Sequence, residues 1–289
     1  MVSNELLNQY AACYARIKAG APAFVSNIFQ NAEELAAIFI NKPCKLVAND
    51  QFLFIFIPRH DSFYELLFAC ASPEIMGEAV KNIRAIFPVA MPIRVSLAGR
   101  EPSVGNLATI FLENGFTLAK KLLRTRLGLP SESIRQAMAI FAQEHSPYLG
   151  FAKSGDEGEI MEILKQSFDP IGDNLPEIDE IRERIAKRQI AVLRKDHAIL
   201  SLRYYSLSST NILHSYYDVT RPEYRGGNGY FMALCHFVQE TLGQGGIHVK
   251  RALGWREEAK KKLVKHAKKS NEQPDGIVIY NLRLDPAES

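Results

Sequence analysis

A chain of 289 residues has room for one large or two ordinary domains, and 47% hydrophobic with 23% charged residues is the balance of a globular protein. No stretch reaches the roughly 18–20 uninterrupted apolar residues that span a bilayer, and the opening "MVSNELLNQYAACYARIKAG" carries Glu5 and lacks the sections of a secretory signal. A net charge of +3 does not mark a nucleic-acid binder, and four scattered cysteines (Cys13, Cys44, Cys70, Cys235) without a CxxC pair argue for a reducing compartment, so the cytoplasm is the expected location and no metal site is expected.

Asn4 to about Lys18 has Leu6, Leu7, Tyr10, Ala11, Tyr14 and Ile17 at helical spacing. Strands are expected at Lys45–Ala48, Gln51–Pro58 and Phe63–Ala71, then a helix opened by Ser72-Pro73. A strand at Ile93–Gly99, a helix at Ser103–Gly115 and a strand at Thr117–Leu129 complete the first half. The segment Ser131–His145 reads as a linker helix.

The second half repeats the rhythm. A short strand (Leu149–Lys153) precedes helices at Asp156–Phe168 and Pro176–Arg188, whose early acids suit helix N-termini. Strands follow at Gln189–Lys195, His197–Ser206 and Asn211–Val219, and then "TRPEYRGGNGY" (Thr220–Tyr230). A helix at Phe231–Leu242, a strand at Ile247–Leu253, a basic helix in "KRALGWREEAKKKLVKHAKKS" (Lys250–Ser270) and a strand at Ile277–Leu284 close the chain. Both halves share the order strand, strand, strand, helix, strand, helix, strand, as two copies of one α/β unit would.

The glycine cluster stands between a strand and a helix. There, backbone N–H groups and the helix dipole can hold a pyrophosphate, and glycines let the backbone approach it. The stretch "VTRPEYRGGNGY" resembles the cofactor motif of the Gcn5-related N-acetyltransferase superfamily, through Pro222, Tyr224, Arg225 and Gly226. A likeness over nearly the whole chain, through "SFYELLFACASPE", "IRVSLAGREPSVGNLATIFLENGF" and "ILKQSFDPIGDNLPEIDEIRERIAKRQIAVLR", is to a bacterial group of tandem acetyltransferases.

The resemblance implies an α/β (α+β) fold of two such domains in tandem, each a mixed, mostly antiparallel sheet flanked by helices. The domains would be 1–130 (a degenerate first copy), a linker helix at 131–147, and 148–289 with the cofactor motif. It also implies an acyltransferase that moves an acetyl or other acyl group from a coenzyme A thioester to an amine of a small or amino-acid-like acceptor. Val219 and Thr220 would lie along the pantetheine arm, and Arg225, Gly226, Gly227, Asn228, Gly229 and Tyr230 around the phosphates. Tyr230 stands where the family has glycine, so either its ring crowds the phosphate or the turn shifts by one residue. In the first copy "CASPE" joins strand to helix with no glycine, so no phosphate cradle is expected there.

Direct transfer to an amine needs a base for the amine and an acid for the leaving thiolate. The family's helix tyrosine has no counterpart in "REEAKKKLVKHAKK". Replacement candidates lie in "HSYYDV", where strand alternation puts His214, Tyr216 and Asp218 on one face and Ser215 and Tyr217 on the other. Asp218 and Tyr217 lead as catalytic candidates, with Tyr216 and His214 beside them. Trp255 reads as packing or an acceptor wall, and the acids Asp169, Asp173, Glu177 and Asp179 as helix-start residues or an attraction for an amine. The basic run Arg256–Lys269 suits either the coenzyme's 3′-phosphate or an acidic acyl carrier protein delivering a phosphopantetheine thioester. A non-catalytic coenzyme A-binding or scaffold protein is the alternative of a different class.

Overall fold

The structure, a computed structural model, describes residues 2–127, 131–226, 229–258 and 273–286. In chain order it runs α1 (Val2–Gly20), β1 (Val25–Ser26), α2 (Ala32–Asn41), β2 (Lys45–Ala48), β3 (Phe52–Arg59), β4 (Phe63–Cys70), α3 (Pro73–Lys81), α4 (Ile83–Ile86), β5 (Ile93–Arg100), α5 (Glu101–Glu113) and β6 (Thr117–Leu127). There follow α6 (Glu132–Glu144), β7 (Leu149–Phe151), α7 (Glu157–Ser167), α8 (Ile178–Ala186), β8 (Ile190–Lys195), β9 (Ala198–Leu207), β10 (Ile212–Thr220), α9 (Tyr230–Gln244), β11 (Arg251–Glu257) and β12 (Gln273–Leu284). Of the expected basic helix Arg256–Lys269, Arg256 and Glu257 belong instead to β11, which pairs with β6, and residues 259–269 lie outside the described residues. Strand β11 begins four residues later than the expected Ile247, because Ile247–Lys250 have no regular structure.

Two compact units form, and they are not consecutive in sequence as 1–130 and 148–289 would be. The first comprises Met1–Lys121 with Ile277–Ser289, the second Leu122–Gly276. The physical reason is strand pairing. In the first unit β5 takes the end of β12 as its antiparallel neighbour, from Ile277↔Arg100 to Leu284↔Ile93. In the second, β11 takes the end of β6, from Ala252↔Leu127 to Glu257↔Leu122. Each copy's terminal strand in sequence thus completes the other copy's sheet. The segment expected as a linker, α6, falls within the second unit.

Within each unit the sheet has the same plan. In the first, β2, β3 and β4 pair antiparallel, and β4 then pairs parallel with β5. In the second, β7, β8, β9 and β10 pair antiparallel, and β10 pairs parallel with β11. Helices cover the faces. Leu35, Phe39, Leu53, Ile55 and Ala69 form one core of the first unit with Ile17 of α1. In the second unit, one face packs Ile160, Leu164 and Ile181 of α7 and α8 on Ile190, Leu202 and Tyr217. The other packs Leu234 and Val238 of α9 on Ala191, Leu200 and Leu213.

Candidate functional site: a wedge in the second unit

Strand β10 has two different halves. Its antiparallel ladder with β9 continues to Thr220↔Ser201, but the parallel ladder with β11 runs only from Ile212↔Arg251 to Ser215↔Gly254. Beyond Ser215 the two parallel strands part. Residues Tyr216–Thr220 therefore line a wedge beyond the end of the β10–β11 ladder. Such an edge recruits an extended, amide-bearing chain.

A bulge sits where the strands part. The β9–β10 register shifts between Ser215 and Tyr217, leaving Tyr216 as the extra residue. The shift changes which face each following side chain occupies. Leu213 packs with α9, whereas Tyr217 and Val219 pack with α7 and α8, although strict alternation would put all three together. The expected row of His214, Tyr216 and Asp218 on one face is therefore corrected. His214 and Tyr216 stack 6.5 Å apart, and Arg184 of α8 lies 5.8 Å from the Tyr216 ring. Asp218 is on the α9 side.

Each expected catalytic residue has a distinct environment. Tyr217 is buried, with its hydroxyl 3.0 Å from the Asp173 carbonyl and 2.7 Å from that of Asn174. It holds the α7–α8 loop to the sheet. Asp218 accepts a 2.8 Å hydrogen bond from Ser215 Oγ and lies 3.7 Å from the buried guanidinium of Arg203, which also donates to Cys235 Sγ. Burial pushes the Cys235 thiol up to about 11, with Arg203 opposing that shift.

Tyr216 is 39% exposed and its hydroxyl is 3.2 Å from Ser206 Oγ. The His214 imidazole is held below its ordinary value by partial burial and by the charge of Arg124. Arg184 donates to Gln189 Oε1 at 2.6 Å and bonds the Tyr204 side chain. The loop acids fold their own segment. Asp173 Oδ2 accepts from the Asp169 amide at 2.9 Å, Asp169 accepts from the Gly172 amide, and Asp179 pairs with Arg182 at 2.7 Å. Glu177 opens α8 in a capping box with Glu180.

The wedge leads into the glycine turn. Val219 is core, and its carbonyl accepts from Ser201 Oγ at 2.9 Å. The Thr220 carbonyl accepts from Arg225 Nε at 2.9 Å, and Arg225 Nη2 reaches Ser167 Oγ at 3.3 Å. Gly227 and Asn228 lie outside the described residues. Gly226 has φ +110°, and Gly229 has φ +64° at the N-cap of α9. A Cβ on Gly229 would stand 2.3 Å from the Phe141 ring, so that position demands glycine by both conformation and space. Tyr230 turns its ring against His145, centroids 4.9 Å apart, at the end of α6. That contact occupies the ring whose crowding of a phosphate was the sequence concern. No side chain caps α9 and no acid stands in its first turn. Its leading N–H groups therefore fit an anion.

The corresponding junction in the first unit is built differently. There β4 enters α3 through Ser72, whose hydroxyl accepts from the Ile75 amide at 3.4 Å, with Pro73 in the first turn. A serine cap and a proline take the places that α9 leaves open.

Sequence reasoning missed α2 and β1. The first was legible in "NAEE", where Asn31 and Glu34 form a capping box, whereas β1 has only two residues and no local signal. Arg221 was also passed over. Its Nε donates to the Ile199 carbonyl at 2.7 Å and its Nη2 to Glu159 at 2.9 Å, which fixes the chain just before the turn.

No protein-family model and no curated protein matches this sequence. Solved structures do match in fold. A tandem GNAT protein from the clavulanic acid biosynthesis pathway aligns over 100% of this chain and 98% of its own, at 10% identity and a TM-score of 0.54. A Gcn5-related N-acetyltransferase from Sphaerobacter thermophilus aligns over 90% of this chain and 87% of its own, at 11% identity and a TM-score of 0.51. A Gcn5-related glucosamine N-acetyltransferase region of a fungal multi-domain β-N-acetylglucosaminidase aligns over 97% of this chain and 37% of that one, at 10% identity and a TM-score of 0.61. Parting parallel strands, a bulge at their fork and an uncapped helix after a glycine turn agree with that likeness, and the chain has the fold of the Gcn5-related N-acetyltransferases.

Proposed function

We propose that the second unit is an N-acyltransferase that takes its acyl group from a coenzyme A thioester and passes it to an amine. The observation that carries this reading is the continuity of the wedge at Tyr216–Thr220 with the uncapped N-terminus of α9. An amide-bearing arm and a pyrophosphate need those two features in that order. The thioester would supply an acyl carbonyl already open to attack by an amine.

The chain's own residues would do the rest. The stretch of β10 beyond the β11 ladder would hold the arm in line, and the first turn of α9 would hold the phosphates. His214, kept neutral by its lowered pKa, would accept the amine's proton as the N–C bond forms, and that proton would return to the coenzyme A thiolate released as the C–S bond breaks. Tyr216 and Arg184 would form the wall against which the acceptor rests. Tyr217 and Asp218 are committed to the loop carbonyls and to Arg203 and Ser215, which favours positioning for them over proton transfer.

Calorimetric titration with coenzyme A and acetyl-CoA tests the proposal, using Phe231→Glu as the control. Phe231 is exposed in the first turn of α9, where a carboxylate would repel a phosphate. Micromolar-range binding weakened about tenfold or more by this substitution is expected. Equal affinity in both proteins would overturn the placement, and no binding to either ligand would overturn the function.

A further inference from the structure

The first unit has the same wedge, and the chain fills it. Strand β4 pairs parallel with β5 only at Tyr64↔Ile93 and Glu65↔Arg94, while its ladder with β3 continues to Cys70↔Phe52. Between the parting strands lies β1, antiparallel to β4 through Val25↔Cys70 and Ser26↔Ala69. The Ala23 amide donates to the Ala71 carbonyl and the Asn27 amide to that of Phe68, both at 3.2 Å. Ser26 Oγ donates to the Phe68 carbonyl at 2.8 Å.

Asn27 sits in the fork itself, 6% exposed. Its Nδ2 donates to the Leu66 carbonyl on β4 at 3.0 Å and to the Ser96 carbonyl on β5 at 3.3 Å. Its Oδ1 accepts from the Phe68 amide at 2.7 Å. One carboxamide thus satisfies backbone groups on both strands where they separate.

We infer that β1 is a built-in occupant of the first wedge, that the first unit is closed to any pantetheine arm, and that each chain takes one donor molecule, in the second unit. The inference rests on the proposed function only for the identity of that donor. Segment Ala23–Asn27 is itself an extended amide chain and makes the backbone bonds such an arm would make. The Ser72 cap on α3 closes the phosphate end of the same groove. Occupant and cap together make the first copy a completed, ligand-independent structure.

Two measurements on the full-length protein test this. The first is the stoichiometry of coenzyme A binding by calorimetry. One equivalent per chain is expected, and two would overturn the inference. The second is amide hydrogen exchange across Leu66–Cys70, which decides the matter even if coenzyme A does not bind, a result that would overturn the proposed function alone. Slow exchange of the Phe68 amide, unchanged by saturating coenzyme A, is expected. Fast exchange in the ligand-free protein, or a change at Phe68 on adding coenzyme A, would overturn the inference. Asn27→Asp keeps the acceptor for the Phe68 amide and removes both Nδ2 bonds. It should speed exchange at Leu66–Cys70 at least tenfold while leaving coenzyme A affinity in the second unit within twofold. Ser26→Ala, which loses the hydroxyl's bond to the Phe68 carbonyl and the one it accepts from the Ile28 amide, should act in the same direction and guards against misfolding of the first variant. Unchanged exchange in both variants would overturn the inference.

Discussion

Four adjacent polar residues on β10 have four different environments, and their local partners tell them apart. Tyr217→Phe removes the hydroxyl that serves the carbonyls of Asp173 and Asn174. It should destabilise the second unit by about 1–2 kcal/mol in chemical denaturation and loosen the α7–α8 loop. For His214 the direction of the shift sets the sign. Its value lies below the ordinary imidazole value of about 6.5, so it is neutral at neutral pH and gains a proton only in more acid solution. If it takes the amine's proton, kcat/KM should be level around neutral pH and fall only in more acid solution than a free imidazole would give, and His214→Asn should abolish that acid limb. Arg184→Gln, at the same wall, should raise KM for the acceptor several-fold with coenzyme A affinity unchanged.

At the scale of elements, the informative comparison is between α3 and α9, the helices that leave β4 and β10. Ser72 and Pro73 close the first, whereas glycines open the second. Ser72→Ala should cost about 1 kcal/mol of first-unit stability, as the loss of a capping hydroxyl does. This contrast was legible in the sequence, because "CASPE" and "YRGGNGY" differ in residues whose conformational preferences are local. The bulge at Tyr216 was not legible. Alternation placed Asp218 beside His214, and only the register with β9 shows the extra residue that separates them. β1 escaped notice for the same reason, since two residues become a strand only because β4 offers them an edge.

For the molecule as a whole, the two units depend on strands far away in sequence. A chain truncated after Gly276 loses the antiparallel partner of β5, so the first unit should become protease-sensitive, while the donor binding proposed for the second should persist. The first unit also carries an acid-sensitive interior. Burial alone would raise the Glu65 carboxyl, but Arg94 at 2.5 Å and Arg59 at 3.7 Å outweigh it and hold it below its ordinary value. A carboxylate with a lowered folded pKa contributes fully above its unfolded value of about 4.3, and that contribution is lost as pH falls through the folded value. Glu65→Gln should lower stability at neutral pH and flatten its decline below about pH 4, as read from denaturation midpoints.

Taken alone, the sequence determined what depends on neighbours along the chain. Periodicity set most helices and strands within a residue or two, and the residues of the two strand–helix turns already set a serine–proline start apart from a glycine start. Tertiary structure decided what depends on pairing partners: which copy receives β12, which face of β10 each polar side chain occupies, and that Asn27 fills one of two equivalent wedges. Hydrogen-bond partners across a sheet lie tens to hundreds of residues apart, and no local pattern encodes their register.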